Sequence, residues 1–334
     1  MMTATQRYTL EQLRTEAAGI GQPISERALL DWVAQGLIDR PQRRGLGRGK
    51  GSVSTWPDEQ RRLLLALLAK RGTILGDRKS IRALLNIPVW LWLYWGDQYV
   101  PLRQVRLALQ TWGATALGST WTASGTVAST IIGTVGHPKA KAKDRRLLRE
   151  YVMRALYTGR FDADELLPLV ARVVDPLNGG HPRGPAGAQL TPEGLVDIFR
   201  ARYTAIKRLA HAEGPHAIND SLFHWARLVY LAGIQSYLAD QPLLASDADL
   251  GSSFTRPDTN ALVNQACLDL ATVLGLALIG HVGPPDGSLE HPQTWEDGSL
   301  RTRIVGTVPD EHGIGVAHVT IEVQTESGLL ASRS

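Results

Sequence analysis

Between Arg40 and Trp56 the chain reads Arg-Pro-Gln-Arg-Arg-Gly-Leu-Gly-Arg-Gly-Lys-Gly-Ser-Val-Ser-Thr-Trp, with five cations, four glycines and no acid. Guanidinium and ammonium groups donate to phosphate oxygens, and glycine lets the main chain turn and approach a partner closely. A nucleic-acid backbone suits that composition. The charge is regional: residues 40–80 hold eleven Lys and Arg against three Asp and Glu, a net +8, while the whole chain carries only +4. For polyanion binding the distribution matters more than the total.

A basic segment acts only if rigid elements present it, and two short amphipathic helices precede this one. The first is expected from the N-cap Thr9 to about Ala18, with Leu10, Leu13 and Ala17 at helical spacing and Gly19 and Gly21 ending it. The second starts at the N-cap Ser25, repeats Leu29, Val33 and Leu37 along one face, exposes Arg27, Asp31 and Gln35, and closes at Gly36. The pair reads as a helix-turn-helix, and Arg27 is suited to a guanine edge in a major groove. Thr55 to Asp58 reads as a capping box with Pro57 at the first helical position, opening a third helix that contains the Leu63 to Leu68 run. A fourth is expected over about Asp77 to Asn86, ending before Pro88.

Ser25-Glu-Arg-Ala-Leu-Leu-Asp-Trp-Val-Ala-Gln-Gly-Leu-Ile38 resembles, without a gap, the recognition-helix pattern of the MerR family of winged-helix transcription regulators. Tyr8-Thr-Leu-Glu-Gln-Leu is similar to the family's opening helix, Gly36-Leu37 to the turn into its wing, and Arg40 to Trp56 to the wing itself. Pro57 onward matches the bracing helices, so the resemblance covers about 80 of the 334 residues. It implies that Ser25 and Arg27 lie at the major groove, and that Arg43, Arg44, Arg48 and Lys50 hold flanking phosphates or the minor groove. Leu30 stands where the family usually has an arginine, which shifts phosphate binding toward the wing. The family's long dimerisation helix has no heptad counterpart in residues 88–135, so a homodimer is left open.

The rest of the chain speaks more of fold than of chemistry. Trp90, Trp92, Tyr94 and Trp95 crowd together; packing between helical units explains them, with a ligand pocket as the other reading. The run from Gly113 to Gly136 is rich in Thr, Ser and Gly and suits a small-residue helix or short strands. A second basic run, His137-Pro-Lys-Ala-Lys-Ala-Lys-Asp-Arg-Arg, leads into a helix expected from about Asp144 to Tyr157. Asp175 to Gln189, dense in Pro and Gly, is the main internal boundary. Beyond it, helical patterns cover Thr191 to about Glu213, Ile218 to about Ala239 and Asp258 to about Ile279, followed by a β-hairpin over Arg301 to Val308 and Val316 to Thr325.

His211, His216 and His224 with Glu213 match no common zinc spacing, and the alternating glycines at 45, 47, 49 and 51 lack the strand and the Gly-Lys-Ser/Thr ending of a nucleotide loop. No nucleophile, base and orienting group can be assembled from sequence. The single Cys267 reads as a core residue in a reducing compartment. No h-region opens the chain, and the apolar runs Ile87 to Tyr94 and Ala271 to Ile279 are shorter than a bilayer span.

The expected fold is therefore mainly α, with an N-terminal winged helix-turn-helix and a helical domain carrying a short C-terminal β-hairpin. The expected units are 1–87, DNA-binding; 88–174, Trp-rich and mostly helical; and 189–334, a helical bundle. The expected function is that of a cytoplasmic transcription regulator, not an enzyme, with no cofactor, metal or membrane. Its DNA contacts would come from Ser25, Arg27, Gln35, Arg40, Arg43, Arg44, Arg48 and Lys50. Double-stranded DNA is the expected partner, and an effector, small molecule or protein, is left unnamed. A mobile-element DNA-binding accessory factor and a protein-interaction scaffold are the alternatives.

Overall fold

The computed structural model describes residues 6–45, 51–73, 81–116, 121–137, 139–174, 182–183, 188–189, 191–209, 217–246, 256–280, 324–325 and 328–329. Thr9 ends one element and opens the next. Strand β1 (Arg7–Thr9) runs into helix α1 (Leu10–Gly19), whose start is closed by a reciprocal capping box between Thr9 and Gln12. Helix α2 (Glu26–Ala34) follows, with the Ser25 hydroxyl accepting from the Ala28 amide at 3.2 Å.

Strands β2 (Gln42–Gly45) and β3 (Ser52–Pro57) pair antiparallel, and β1 adds to the other edge of β3 to give a three-stranded sheet with order β1-β3-β2. Helix α3 (Asp58–Thr73) leaves the end of β3 directly. The capping box expected at Thr55 does not form, because β3 is committed to strand pairing, with β2 along residues 52–55 and with β1 along residues 55–57. Thr55 is held in register between Thr9 and Gln42, so its backbone is extended.

The remainder is helical: α4 (Ile81–Leu84), α5 (Asn86–Trp95), α6 (Leu102–Ala116), α7 (Trp121–Val135), α8 (Ala142–Thr158), α9 (Ala163–Val174), α10 (Pro192–Leu209), α11 (Asp220–Leu244) and α12 (Thr259–Leu278). The chain is mainly α, with this small sheet at one end. The fourth helix ends before Pro88 as expected, at Leu84, and Pro88 itself sits in the first turn of the next helix, α5, where a missing N–H costs nothing. The Thr/Ser/Gly stretch takes the helical alternative as α7. The long C-terminal hairpin falls largely outside the described residues; what is described there is Gln324–Thr325 (β6) against Gly328–Leu329 (β7). In the expected boundary loop, Pro182–Arg183 (β4) pairs with Ala188–Gln189 (β5).

Apolar side chains gather in two clusters. One joins the sheet and α1–α3 to α5, α6, α11, α12 and the end of α10, so it runs across residue 87 without a break. The other is built from α7, α8, α9 and the start of α10. Helices α10 and α12 approach so closely that a Cβ on Gly275 would sit 2.7 Å from the Ala201 Cα. Among the described residues α12 is the one helix long and apolar enough to cross a bilayer, and 61% of its apolar window is buried inside the fold.

The Trp-rich helix is explained by packing. Trp92 is fully enclosed, its indole donating to Asp97 at 2.7 Å, and Arg227 from α11 donates to the carbonyls of Trp92, Leu93 and Tyr94 at the open end of α5. The Trp92 carbonyl also accepts the Gly96 amide at 2.8 Å, and a cation here complements the negative end of the helix.

Candidate nucleic-acid interface

Helix α2 divides cleanly around its axis. Leu29 and Trp32 are buried, while Ser25, Glu26, Arg27, Leu30, Asp31 and Ala34 are exposed. Arg27, Leu30, Asp31 and Ala34 recur at three- and four-residue intervals and so share one outer face. Trp32 belongs to the core, and Leu30 on the outer face remains 49% exposed.

The end of α2 is fixed by its neighbours. Gly36 adopts φ +82°, the Gly36 and Leu37 amides donate back to the carbonyls of Val33 and Trp32, and the helix closes in a Schellman turn. Gly36 also lies against α6: a Cβ there would come 2.8 Å from the Leu107 carbonyl carbon and closer still to the Ala108 amide.

A chain of buried hydrogen bonds continues this anchorage toward β2. Gln60 of α3 accepts from the Asp39 amide at 2.8 Å and donates to Gln104 of α6 at 2.9 Å, and Gln104 donates to the Leu37 carbonyl at 2.9 Å. Trp56 of β3 donates from its indole to the Asp39 carbonyl at 2.8 Å, and the Arg103 Nε meets the Asp39 carboxylate at 2.9 Å. Each polar group in this chain has a partner, which makes a buried network rigid rather than costly. The exit of α2, the start of β2, the sheet and α6 therefore move as one piece.

On this frame the basic residues separate into two sets. Arg61 bridges Glu16 and Asp58 at 2.7 Å each, and Arg62 also reaches Asp58 at 2.7 Å. The Glu16 and Asp58 hydrogen bonds push the Arg61 guanidinium pKa up. Burial alone would raise the Asp58 carboxyl, but bonds and charge from Arg61 and Arg62 hold it below its usual range. These cations are committed within the fold. Arg27, Arg40, Arg43 and Arg44 are exposed and make no ion pair or side-chain hydrogen bond among the described residues. Arg43 and Arg44 pair through their backbones with Ser54 and Val53, and as neighbours on a strand they point to opposite faces.

Ser25 caps α2, so its hydroxyl oxygen is already used by Ala28. Gln35, expected on the exposed face, is half-buried at the C-cap with its Oε1 enclosed and unpaired, because α2 ends there and the chain turns inward toward α6. Arg48 and Lys50 lie outside the described residues. Arg14 on α1 is exposed, and Arg7 on β1 bonds Gln42 of β2 at 2.6 Å; neither was singled out by motif. The anchoring glutamines were missed as well. Their signal is a polar residue beside each helix's apolar run, Gln60 before Leu63 and Gln104 between Leu102 and Val105.

Elsewhere the candidate chemistry is structural. His224 approaches Asp97 at 3.3 Å beside the Trp92 ring, and Cys267 is fully buried, where desolvation pushes its thiol pKa up. The basic run before α8 is tied to the fold at His137, which is buried, its amide donating to the Val173 carbonyl at 2.9 Å. His211, Glu213 and His216 fall outside the described residues. Comparison with protein-family models, curated proteins and solved structures returns no match for this chain.

Proposed function

We propose that this chain is a sequence-specific double-stranded DNA-binding regulator whose N-terminal unit is a winged helix-turn-helix. The observation that carries the reading is the pair of rigidly joined elements that present arginines with no side-chain partner among the described residues: α2 with Arg27, and the β2–β3 pair with Arg43 and Arg44, with Arg40 between. A helix of this width enters the major groove, where Arg27 meets a guanine edge and the exposed Leu30 suits a thymine methyl. The strand pair lies on flanking phosphates and contributes affinity that carries no sequence information. The helical part serves assembly, effector response or partner contact.

The test starts from footprinting on genomic DNA with the purified full chain, followed by anisotropy titrations on the recovered duplex. Wild type should lose affinity steeply as salt rises, and Arg43→Ala/Arg44→Ala should flatten the log–log salt slope by about 2. Arg27→Ala should cost about 1–3 kcal/mol at one base position and relax the preference there. Absence of salt-sensitive DNA binding by the wild type overturns the reading.

A further inference from the structure

Where the two apolar clusters meet they leave a cavity of about 640 Å³. That volume lies within the range of small-molecule sites. Its walls come from nine helices, α3–α10 and α12, with Trp112 of α6, Ile131 of α7, Leu156 of α8, Leu166 of α9, Phe199 of α10 and Leu268 of α12 among the apolar lining. The surface is predominantly apolar.

The charged residues at this cavity are all of one sign. Among the described residues Lys70, Arg82 and Arg202 line it and no Asp or Glu does, although the buried Asp269 of α12 lies behind the lining, near enough for its charge to reach Arg202. Lys70 bonds Asn260 at 2.9 Å. Arg82 lies over the Trp112 ring at 5.5 Å, and Arg202 donates its Nε to Thr272 at 2.8 Å. Neither arginine forms a salt bridge with a carboxylate among the described residues. Burial lowers the pKa of both guanidinium groups, only partly offset by the charge of Cys267 at Arg82 and of the buried Asp269 at Arg202, the mark of half-buried cations without full compensation.

Three classes of occupant can be weighed against this lining. An uncharged hydrophobe would fill the walls but leave the guanidinium groups unanswered, and an organic cation would meet like charge. An anion with an apolar body answers both features: the body removes apolar wall from water, and the anionic group takes the N–H donors of Arg82 and Arg202 in a low-dielectric setting.

We infer that this cavity is a binding site for an amphipathic organic anion, an aromatic or aliphatic carboxylate or sulfonate whose charged end sits between Arg82 and Arg202. The site goes beyond the DNA reading and stands without it, since none of the residues that hold the ligand belongs to the α2 and β2 surface.

Two fluorescent dyes that share an apolar body test it on the full chain in the absence of DNA: anilinonaphthalene sulfonate, an anion, and phenylnaphthylamine, its uncharged counterpart. The anion should saturate a single site at least about tenfold more tightly than the neutral dye. Arg82→Gln should weaken the anion by about tenfold and leave the neutral dye unchanged, with Arg202→Gln acting in the same direction. Ala155→Trp fills the cavity from α8 and should abolish binding of both dyes while circular dichroism and the unfolding midpoint stay native; Ile131→Trp replaces it if that chain does not fold. Equal affinity for the two dyes, anion binding that ignores Arg82→Gln, or binding that survives the filled cavity each overturns the site. Failure here leaves the salt-dependent DNA titration untouched, and failure there leaves the dye titration untouched.

Discussion

Arginine serves this molecule in two opposite solvents. On α2, β2 and the link between them, Arg27, Arg40, Arg43 and Arg44 stand in water with no side-chain partner among the described residues; at the cavity, Arg82 and Arg202 are half-buried among apolar helices. A cation in water is screened within about 10 Å at moderate salt, so it works collectively, against a polymer of phosphates. A cation in an apolar enclosure is screened far less and can select one anionic group by geometry. The same side chain thus suits a long-range, salt-sensitive contact at one end and a short-range, salt-tolerant one in the interior.

The widest separation of the two regions should come from Gly36→Ala. The substitution forces a left-handed backbone on alanine and drives a methyl into the α6 backbone, so DNA affinity should fall by about a hundredfold or more. Dye binding, read by fluorescence below the unfolding transition, should change by no more than about twofold. Loss of both would break the distinction. Next in size, raising salt from about 50 to about 200 mM should weaken DNA binding by about tenfold or more while the anionic dye shifts by less than about threefold. Parallel loss would place the dye on the outer arginines.

Removing one link of the buried network is a smaller perturbation. Gln60→Ala leaves the Asp39 amide and Gln104 without their partner, and should cost about 1–3 kcal/mol in urea unfolding. The subtlest effect is protonic. Asp269 on α12 is buried, and desolvation raises its carboxyl to about 7 against the opposing pull of Arg202. Tyr94 of α5, Tyr230 of α11 and Cys267 of α12 also feel its charge.

An acid whose folded pKa lies above its unfolded value of 3.8 favours the folded state when protonated. That contribution is complete at pH values below 3.8 and is lost as pH rises through about 7. Protonation also removes the carboxylate that opposes an anion at Arg202. The anionic dye should therefore bind about threefold more tightly at a pH one unit below that value than one unit above it. Asp269→Asn should abolish that dependence and add stability on the alkaline side, as read by thermal melts across the range.

Local signals were legible in the sequence. Thr9 and Ser25 cap the helices expected of them, the helix expected from Asp258 starts there, and Thr191 accepts from Gly194 at 3.0 Å at the start of α10. What depended on distant residues was not. Strand β1 is three residues long and exists only because β3 accepts it, and the apparent capping box at Thr55 yields to the same pairing. Pro88 carries one physical constraint that fits either the end of a helix or its first turn, and only the tertiary setting decides between them. Among the candidate contacts, the exposed arginines followed from charge and period. The inward turn of Gln35 depended on α6, about seventy residues further on. The cavity lies where nine helices converge, and no sequence window contains it.

The seating of Gly36 on α6, together with the Leu37–Gln104–Gln60 link, also bears on how the protein is made. As the chain leaves the ribosome, α1, α2 and the sheet emerge before the surface that closes them. Residues 103–108 must follow before Gly36 has its seat and the Leu37 carbonyl its donor. The arginine-bearing face therefore matures late, in step with the helical body, and a chain cut after α3 would carry every outward-facing arginine of α2 and β2 yet lack the support that holds them in register.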